Sequence, residues 1–179
     1  MTGITVKIQN DTLDLLPDIR WDRKMEDHWD ISESGAWQRM QKFFDNGLAK
    51  YKEGRDCPSV DYTSRLSPYL RFGMISPRSI WHATNAHCAK NDISESDHNH
   101  ILSEIGWREF AHSQLYYYPN MKTQPLQTRF ENFPWQHDPE TLKRWQTGQT
   151  GYPMIDAGIR QLWQTGWMHN RVRMIVGSL

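Results

Sequence analysis

Three short segments of the sequence combine residue types that can bind an anion or a planar ligand. The first is Thr63-Ser64-Arg65-Leu66-Ser67-Pro68, where three hydroxyls and a guanidinium precede a proline suited to the first turn of a helix. Backbone N–H groups at a helix start and these side-chain donors can converge on a phosphate. The hexapeptide also fits an ordinary serine N-cap before a proline-led helix, so its residues alone leave two interpretations open.

The second segment lies within a predicted long helix. Four of its residues have i, i+3, i+4 and i+7 spacing and therefore share one helix face: Glu104, Trp107, Arg108 and Ala111. That face offers an acceptor, an aromatic plane and a cation together, and the small Gly106 leaves room for a close approach. Alternatively, Glu104 and Arg108 form an i,i+4 surface pair, with Trp107 half-buried beside them.

The third segment belongs to the stretch 148–174, which is denser in Trp, Gly, His, Asn and Arg than core packing requires. Four residues with helical spacing present a ring, an amide, a cation and a thioether on one side: Trp167, Asn170, Arg171 and Met174. An ordinary amphipathic helix would carry aliphatic residues there, so we interpret this stretch as a binding surface. The neighbouring His169 is more typical of a structural hydrogen-bonding residue than of a ligand.

Hydrophobic periodicity and capping residues predict helices along most of the chain and almost no strand. Apolar positions from Trp37 to Tyr51 recur every three or four residues and predict one amphipathic helix from Ser34 that ends before Gly54. Further helices are predicted from Pro77, over 97–118, from Pro139 to Gly148, from Pro153 to near Gly166, and from near Trp167. We therefore expect an all-α helical bundle with long ordered loops, including 120–137.

The composition limits the class of protein. The 179 residues contain 21 Lys+Arg and 21 Asp+Glu, which argues against general nucleic-acid binding. The charge is uneven, because residues 141–179 hold five Lys/Arg and a single acidic residue, Asp156, so a local positive face can contact phosphate. Cys57 and Cys88 match neither a disulfide framework nor a zinc pattern, and no metal is expected. With no signal peptide or apolar span in the sequence, we expect a cytoplasmic protein without a membrane partner.

Three motifs occur in an order that is typical of one protein family. They are TSRLSPYLRFGMISPR at 63–78, SEIGWREF at 103–110, and the block from WQTGQTGYPMIDAGIR to TGWMHNRVRM at 145–174. With these motifs, the sequence resembles the flavin-binding helical domain of the DNA photolyase and cryptochrome family. Residues 14–62 are also similar to the family's segment ahead of the first motif, so the resemblance covers nearly the whole chain.

The resemblance implies roles for individual residues. Those implied to bind a folded FAD are Tyr51, Thr63, Ser64, Arg65, Leu66, Ser67, Arg108 and Trp167, which favours the anion-binding interpretation of the first segment. Those implied to contact DNA or a damaged pyrimidine pair are Arg55, Glu104, Trp107, Arg108, Asn170, Arg171 and Met174. Glu104 and Asn170 are also implied in catalysis. Trp135 resembles the outer member of the family's tryptophan electron-transfer chain.

The implied activity is light-driven repair of cyclobutane pyrimidine dimers in DNA. In the family, reduced FAD absorbs blue light and passes an electron to the dimer, the ring opens, and the electron returns. Photolyases are known to extrude their target from the duplex, and an aromatic plane such as Trp107 stabilises an extruded base by about 1 to 3 kcal/mol. Damaged DNA is the expected partner of a monomeric protein. Asn170 favours repair, since plant sensory cryptochromes carry Asp at this position.

Two other functions stay open at this point. One is a flavin-based blue-light sensor of the cryptochrome type, and the other is a vestigial helical fragment without a cofactor. The resemblance assigns residues 1–20 to a connector from an absent antenna domain, so no antenna chromophore is expected on this chain. Residues 21–179 are assigned to a partial FAD-binding domain. Because the family's next helices would follow Leu179, we expect the isolated chain to bind FAD weakly and to be marginally folded.

Overall fold

The computed structural model describes residues 18–134 and 136–179. This part of the chain forms helices and turns without a β-strand, so the predicted all-α architecture is confirmed. The helices are α1 (Arg23–Glu26), α2 (Glu33–Asn46), α3 (Tyr51–Gly54), α4 (Ser67–Arg71), α5 (Pro77–Cys88), α6 (Glu95–Tyr117), α7 (Pro139–Thr147), α8 (Pro153–Thr165) and α9 (Asn170–Val176). Three 3-10 turns cover Leu48–Lys50, Pro119–Lys122 and Thr128–Phe130. Most of the expected connector, residues 1–17, and Trp135 lie outside the described residues.

Local capping explains the helix boundaries that were predicted most closely. The Ser76 hydroxyl accepts a hydrogen bond from a first-turn N–H at 2.9 Å, and Pro77 begins α5 behind it. Asp138 caps α7 in the same way, at 3.0 and 3.1 Å. Gly148 and Gly166 end α7 and α8 with φ angles of 66° and 72°, in the left-handed region that glycine adopts without strain. Each of these signals lies within a few residues of the boundary it sets.

The single helix predicted from Ser34 to the residue before Gly54 is wrong. The structure divides it into α2 and α3 at Gly47, where a 3-10 turn intervenes. A Cβ at Gly47 would lie 3.0 Å from the carbonyl oxygen of Tyr62, so the distant chain passes too close for a larger residue.

Two other helix starts differ from the prediction. Helix α6 begins at Glu95, two residues early, because Ser94 caps it by accepting from the Asp97 N–H at 3.0 Å. Helix α9 begins at Asn170 instead of near Trp167, because His169 is its N-cap. Trp167 therefore precedes the helix on which it was placed.

The buried apolar side chains form two clusters. The first joins α2 to α6: Ala36, Met40, Phe43, Phe44, Leu48, Tyr51, Leu66, Tyr69, Ile75, Ile80 and Ile101. The second joins α8 and α9: Ile155, Ile159, Met168, Val172 and Val176. Trp29 packs against the first cluster and donates its indole N–H to the Thr165 carbonyl at 2.5 Å, at the end of α8. This contact holds the two clusters next to each other.

The first half of the stretch 148–174 builds the junction between α7 and α8. The Asp156 carboxylate accepts from the Thr150 N–H at 2.8 Å, the Thr150 hydroxyl at 2.7 Å and the Gly151 N–H at 3.1 Å. These hydrogen bonds lower the pKa of Asp156, and the bond from the Thr150 hydroxyl has the largest effect. Arg160 donates to the Gly148 carbonyl at 2.8 Å. The density of polar residues and glycines here reflects local structure, and the interpretation of the whole stretch as a binding surface was too broad.

Replacing Gly158 with alanine is expected to destabilise the fold. A Cβ at this position of α8 would lie 2.4 Å from a Val172 methyl group of α9, so the two helices would have to separate. Overpacking of this kind costs about 1 to 3 kcal/mol of the free energy of unfolding, measured by urea denaturation. Gly106→Ala in α6 is the matched control. A Cβ there meets no described atom within 4 Å, so this change should stabilise by about 0.5 to 1 kcal/mol. Equal effects of the two changes would contradict the close α8–α9 contact.

Candidate functional site

Two adjoining cavities share part of their lining beside the first apolar cluster, and we refer to them together as the cleft. The larger, of about 590 Å³, includes in its lining Tyr51, Arg55, Thr63, Ser64, Arg65, Leu66, Ser67, Glu104, Trp167 and Asn170. The smaller, of about 410 Å³, adds Arg108 and shares six lining residues with the larger: Tyr51, Ser64, Leu66, Ser67, Arg71 and Glu104. Most of the residues predicted to bind a cofactor or a substrate therefore meet at one place, although they come from distant parts of the chain.

Arg65 occupies a strained position at the edge of the larger cavity. Its φ angle is 51°, the single positive value of a non-glycine residue in the described chain. The guanidinium carbon lies 4.4 Å from the centre of the Trp167 ring, and Nη2 pairs with Asp61 at 2.9 Å. The Nε atom is buried and has no hydrogen-bond partner among the described residues. The turn thus presents a cation with one unused N–H donor beside the cleft.

The serine N-cap interpretation of the first segment is wrong. Leu66 occupies the N-cap position of α4, and no side chain caps this helix start. Ser67 is instead the first helical residue, and the Leu66 N–H donates to the Ser64 hydroxyl in a long bond of 3.4 Å. The hydroxyl-bearing residues Thr63, Ser64 and Ser67 all line the larger cavity. Their donors are therefore available to an anion in the cleft.

Tyr51 joins the floor of the cleft to the first apolar cluster. Its ring is buried, with the Phe43 ring centre 5.4 Å away and the Arg55 guanidinium carbon 5.6 Å away. Burial raises the pKa of Tyr51 to about 12, so its hydroxyl stays protonated at neutral pH. Asp97 holds the start of α3 by accepting from the Lys52 N–H at 2.8 Å. Tyr51 is thus a fixed, neutral hydrogen-bonding group.

Helix α6 divides the face that the second segment was expected to present. Glu104 lines both cavities and accepts a hydrogen bond from Arg55, whereas Arg108 lines the smaller cavity and pairs with Glu109 at 2.6 Å. The alternative of a Glu104–Arg108 surface pair is therefore wrong. Trp107 is 63% exposed and lines neither cavity. The centre of its ring lies 5.8 Å from the centre of the Phe110 ring, in an edge-on arrangement. It stands at the surface near the cleft, on the same helix as Glu104.

Arg55 is held within the protein more firmly than a surface phosphate contact would be. Its side chain is only 12% exposed and pairs with Glu104, and its Nε lies 3.8 Å from Asp56. Two carboxylates thus compensate this cation. The pair could not be found from sequence spacing, since 49 positions separate Arg55 from Glu104.

The third segment is also divided. Trp167 and Asn170 line the larger cavity, whereas Arg171 and Met174 lie outside both linings. Arg171 donates to Asp56 through Nη2 at 2.5 Å and through Nε at 2.7 Å. Its remaining nitrogen, Nη1, lies 3.5 Å from the Met174 sulfur. The face predicted as one surface therefore has an inner part at the cleft and an outer part held by Asp56, to which the sequence assigned no role.

His169 makes the structural hydrogen bond expected of it. The ring is 2% exposed, and Nδ1 accepts from the Arg171 N–H at 3.2 Å, which caps α9. The other ring nitrogen, Nε2, is buried without a partner among the described residues. Burial, and then the positive charges of Arg171 and Arg65, lower the pKa of His169.

Acid is expected to destabilise the protein partly through His169. Its folded pKa lies below the ordinary value of about 6.5, so the unfolded chain binds the proton first as the pH falls. The neutral His169 ring therefore costs no stability above about pH 6.5, whereas below this pH protonation of the unfolded chain reduces the free energy of unfolding. We expect His169→Asn, which keeps a capping acceptor, to lessen the fall in the free energy of unfolding between about pH 7 and pH 5. Urea denaturation at both pH values measures it. An identical fall in the variant would show that another group is responsible.

Other predictions concern metals, cysteines and membranes. In the described part of the chain, no group of three or more His, Cys, Asp or Glu side chains is arranged to hold a metal ion. Cys57 and Cys88 are free thiols. Among the described helices, none combines the length and apolar character needed to span a membrane. The predicted electron-transfer residue Trp135 lies outside the described residues.

Known proteins resemble this chain in sequence and in structure. A family model described as the FAD binding domain of DNA photolyase matches residues 101–179. The deoxyribodipyrimidine photo-lyase of Agrobacterium fabrum is 45% identical over 161 residues, which are 88% of this chain and 33% of that protein. Cryptochrome-2 of Arabidopsis thaliana is 37% identical over 155 residues, which are 84% of this chain and 25% of that protein. A solved bacterial class III photolyase from Agrobacterium tumefaciens matches with a TM-score of 0.87 and 43% identity, covering 94% of this chain and 35% of that one.

These similarities extend beyond the region that the family model covers. The family model matches from within α6 to the end of the chain, whereas Tyr51 and the segment 63–68 lie ahead of the matched region. The structural match covers nearly the whole chain, with the helices that carry those residues. The chain spans about a third of the length of the curated photolyases it matches. Sequence, structure and family model agree that the chain belongs to the DNA photolyase and cryptochrome family and contains part of its FAD-binding helical domain.

Proposed function

We propose that this chain, over residues 21–179, supplies part of an FAD site that carries out light-driven repair of cyclobutane pyrimidine dimers in DNA. The observation that carries the proposal is Arg65. It sits on a strained turn beside Trp167 and has a buried Nε–H donor without a partner among the described residues. A strained residue with an unsatisfied donor at a cavity is typical of a binding site.

The donors along the cleft suit the pyrophosphate of FAD. Arg65 supplies the charge, and the hydroxyls of Thr63, Ser64 and Ser67 line the same cavity. Leu66 and Tyr51 add buried apolar surface, and Tyr51 stays neutral, so it places no negative charge near a phosphate. Arg108 at the smaller cavity and the Trp167 ring are the groups we assign to the flavin end.

The remaining cleft residues suit a damaged pyrimidine pair. Bound FAD in its reduced state would supply an electron to the dimer after absorbing blue light. The Glu104 carboxylate can accept from a thymine N–H, and the Asn170 amide can match a carbonyl or an imino group. Trp107 is exposed and free to stack on an extruded base. Arg55, Arg171 and Met174 are assigned to DNA contacts, and Trp135 is assigned to electron transfer from the resemblance alone.

Repair is preferred to light sensing for two reasons. The photo-lyase of A. fabrum shares 45% identity with this chain, against 37% for the plant cryptochrome. Asn170 lines the cleft at the position where plant sensory cryptochromes carry Asp. An amide can donate and accept at a pyrimidine edge, whereas an ionised carboxylate only accepts.

Two measurements test the proposal. The purified protein is titrated with FAD at equilibrium, and the change in flavin fluorescence reports cofactor binding even when it is weak. An oligonucleotide containing a thymine dimer is then illuminated with blue light in the presence of reduced protein, and restored thymines are counted against a dark control. Flavin binding without repair would indicate the sensor, and the absence of flavin would indicate a cofactor-free domain. Restored thymines that require both light and flavin support repair.

A further inference from the structure

We propose that Asp56 determines specificity for damaged over undamaged DNA by holding Arg171 at the rim of the cleft. The inference rests on the proposed function, since it takes DNA as the substrate. Asp56 follows α3, and Arg171 lies in the first turn of α9, 115 positions further along the chain. Their ion pair spans the two sides of the cleft that carry Tyr51 and Asn170.

The contacts favour one position of the Arg171 guanidinium. A single oxygen of Asp56 accepts from Nη2 at 2.5 Å and from Nε at 2.7 Å, while Nη1 contacts the Met174 sulfur at 3.5 Å. All three guanidinium nitrogens therefore have a partner. Asp56 also lies 3.8 Å from Arg55, whose own charge is compensated by Glu104. Two cations near the rim are thus neutralised before any DNA arrives.

Solvent exposure makes the Asp56–Arg171 pair easy to displace. The side chains are 54% and 38% exposed, and pairs of this kind are weak because water and salt screen them. A DNA phosphate can therefore replace or share the carboxylate. Every phosphate that does so meets the negative charge of Asp56, which offsets part of the attraction to Arg171.

This offset affects the two kinds of DNA differently. Undamaged duplex is bound through its phosphates alone, in many registers, so a neutralised arginine weakens it directly. A damaged site uses one register, in which an arginine already held in place is ordered at little entropic cost. The extruded pair also contacts Glu104 and Asn170, and these contacts do not depend on Asp56. The carboxylate should therefore lower the affinity for undamaged DNA more than that for damaged DNA.

The test compares two duplexes of the same sequence, one with a single thymine dimer, bound in the dark to the purified protein at several salt concentrations. We expect Asp56→Asn to raise the affinity for undamaged duplex by about three- to tenfold and to steepen its log–log salt dependence by about one unit. Affinity for the damaged duplex should change less than about twofold, so discrimination falls by about 1.5- to 10-fold.

Two comparisons isolate the contact from the charge. Glu53→Gln removes the same charge from α3, and Glu53 forms no ion pair within the described residues, so discrimination should be retained. In an Arg171→Gln background, Asp56→Asn should no longer alter discrimination. If Asp56→Asn does not fold, Arg171→Lys serves instead, since it keeps the charge but loses the paired contact, and it should lower discrimination similarly.

The outcomes separate this inference from the proposed function. If Asp56→Asn and Glu53→Gln lower the discrimination between the two duplexes equally, Asp56 acts only through its negative charge and the inference is overturned. If Asp56→Asn loses affinity for the damaged duplex alone, the inference is also overturned. If the unchanged protein binds both duplexes equally, the proposed function fails and the inference with it. If the unchanged protein discriminates and Asp56→Asn discriminates equally well, the inference alone fails.

Discussion

Arg65→Gln is expected to lower the affinity for FAD by about 10- to 100-fold, because hydrogen bonds to charged groups contribute about 1.5 to 3 kcal/mol each. Glutamine keeps an unbranched side chain at the φ angle of 51° but removes the charge and the planar set of donors. It also removes the cation above the Trp167 ring. Equilibrium titration with FAD, followed by flavin fluorescence, measures the change.

The control for this experiment is Asp61→Asn. The Asp61 carboxylate pairs with Arg65 at 2.9 Å and with Lys42 at 3.7 Å, so its removal breaks the same ion pair and leaves the cation in place. FAD affinity should stay the same or rise, because the phosphate no longer competes with a carboxylate. Equal losses in both variants would mean that the ion pair positions the turn and that Arg65 does not itself bind the phosphate. An Arg65→Gln protein with unchanged affinity would remove Arg65 from the site.

Features that depend on neighbouring residues were predictable from the sequence. The caps at Ser76 and Asp138, and the left-handed glycines that end α7 and α8, act within one helical turn. The motifs around Arg65 and Asn170 were recognised from residue types alone, and both residues line the cleft. Local signals and motif resemblance were therefore sufficient for the architecture, and most of the residues they singled out for binding line the cleft.

Features that depend on distant residues were not predictable in this way. The helix break at Gly47 follows from the close approach of the Tyr62 carbonyl, which no periodicity reports. Helical spacing suggested Arg108 as the partner of Glu104, yet Glu104 pairs with Arg55, 49 positions earlier. No role was assigned to Asp56 from the sequence, because its contact with Arg171 spans 115 positions. Fold topology decides each of these contacts, and pairwise spacing within one helix carries no information about it.

The Arg55–Glu104 pair also bears on the second prediction, which concerns the rate of repair. If the proposed function holds, Glu104→Gln is expected to slow light-driven repair by about 10- to 100-fold, since the proposal places the Glu104 carboxylate at the pyrimidine edge as a charged acceptor. Flavin should remain bound, because the hydroxyls and the guanidinium of the first segment are unchanged. Repair is measured as restored thymines per unit of light absorbed, with flavin content determined in the same samples.

Loss of repair in Glu104→Gln has a second possible origin, because the change leaves Arg55 poorly compensated. The Arg55 side chain is 12% exposed, and its other carboxylate neighbour, Asp56, is 3.8 Å away and already bonded to Arg171. An uncompensated cation in this position would disturb the cleft. The double variant Arg55→Gln/Glu104→Gln removes both charges. It distinguishes the two origins when repair is measured at saturating DNA, where loss of the proposed Arg55 contact to DNA does not itself slow the reaction. If Glu104 contacts the dimer, the double variant stays as slow as the single one. If the unpaired Arg55 causes the defect, the double variant recovers most of the repair rate, and Glu104 is then a positioning residue for Arg55.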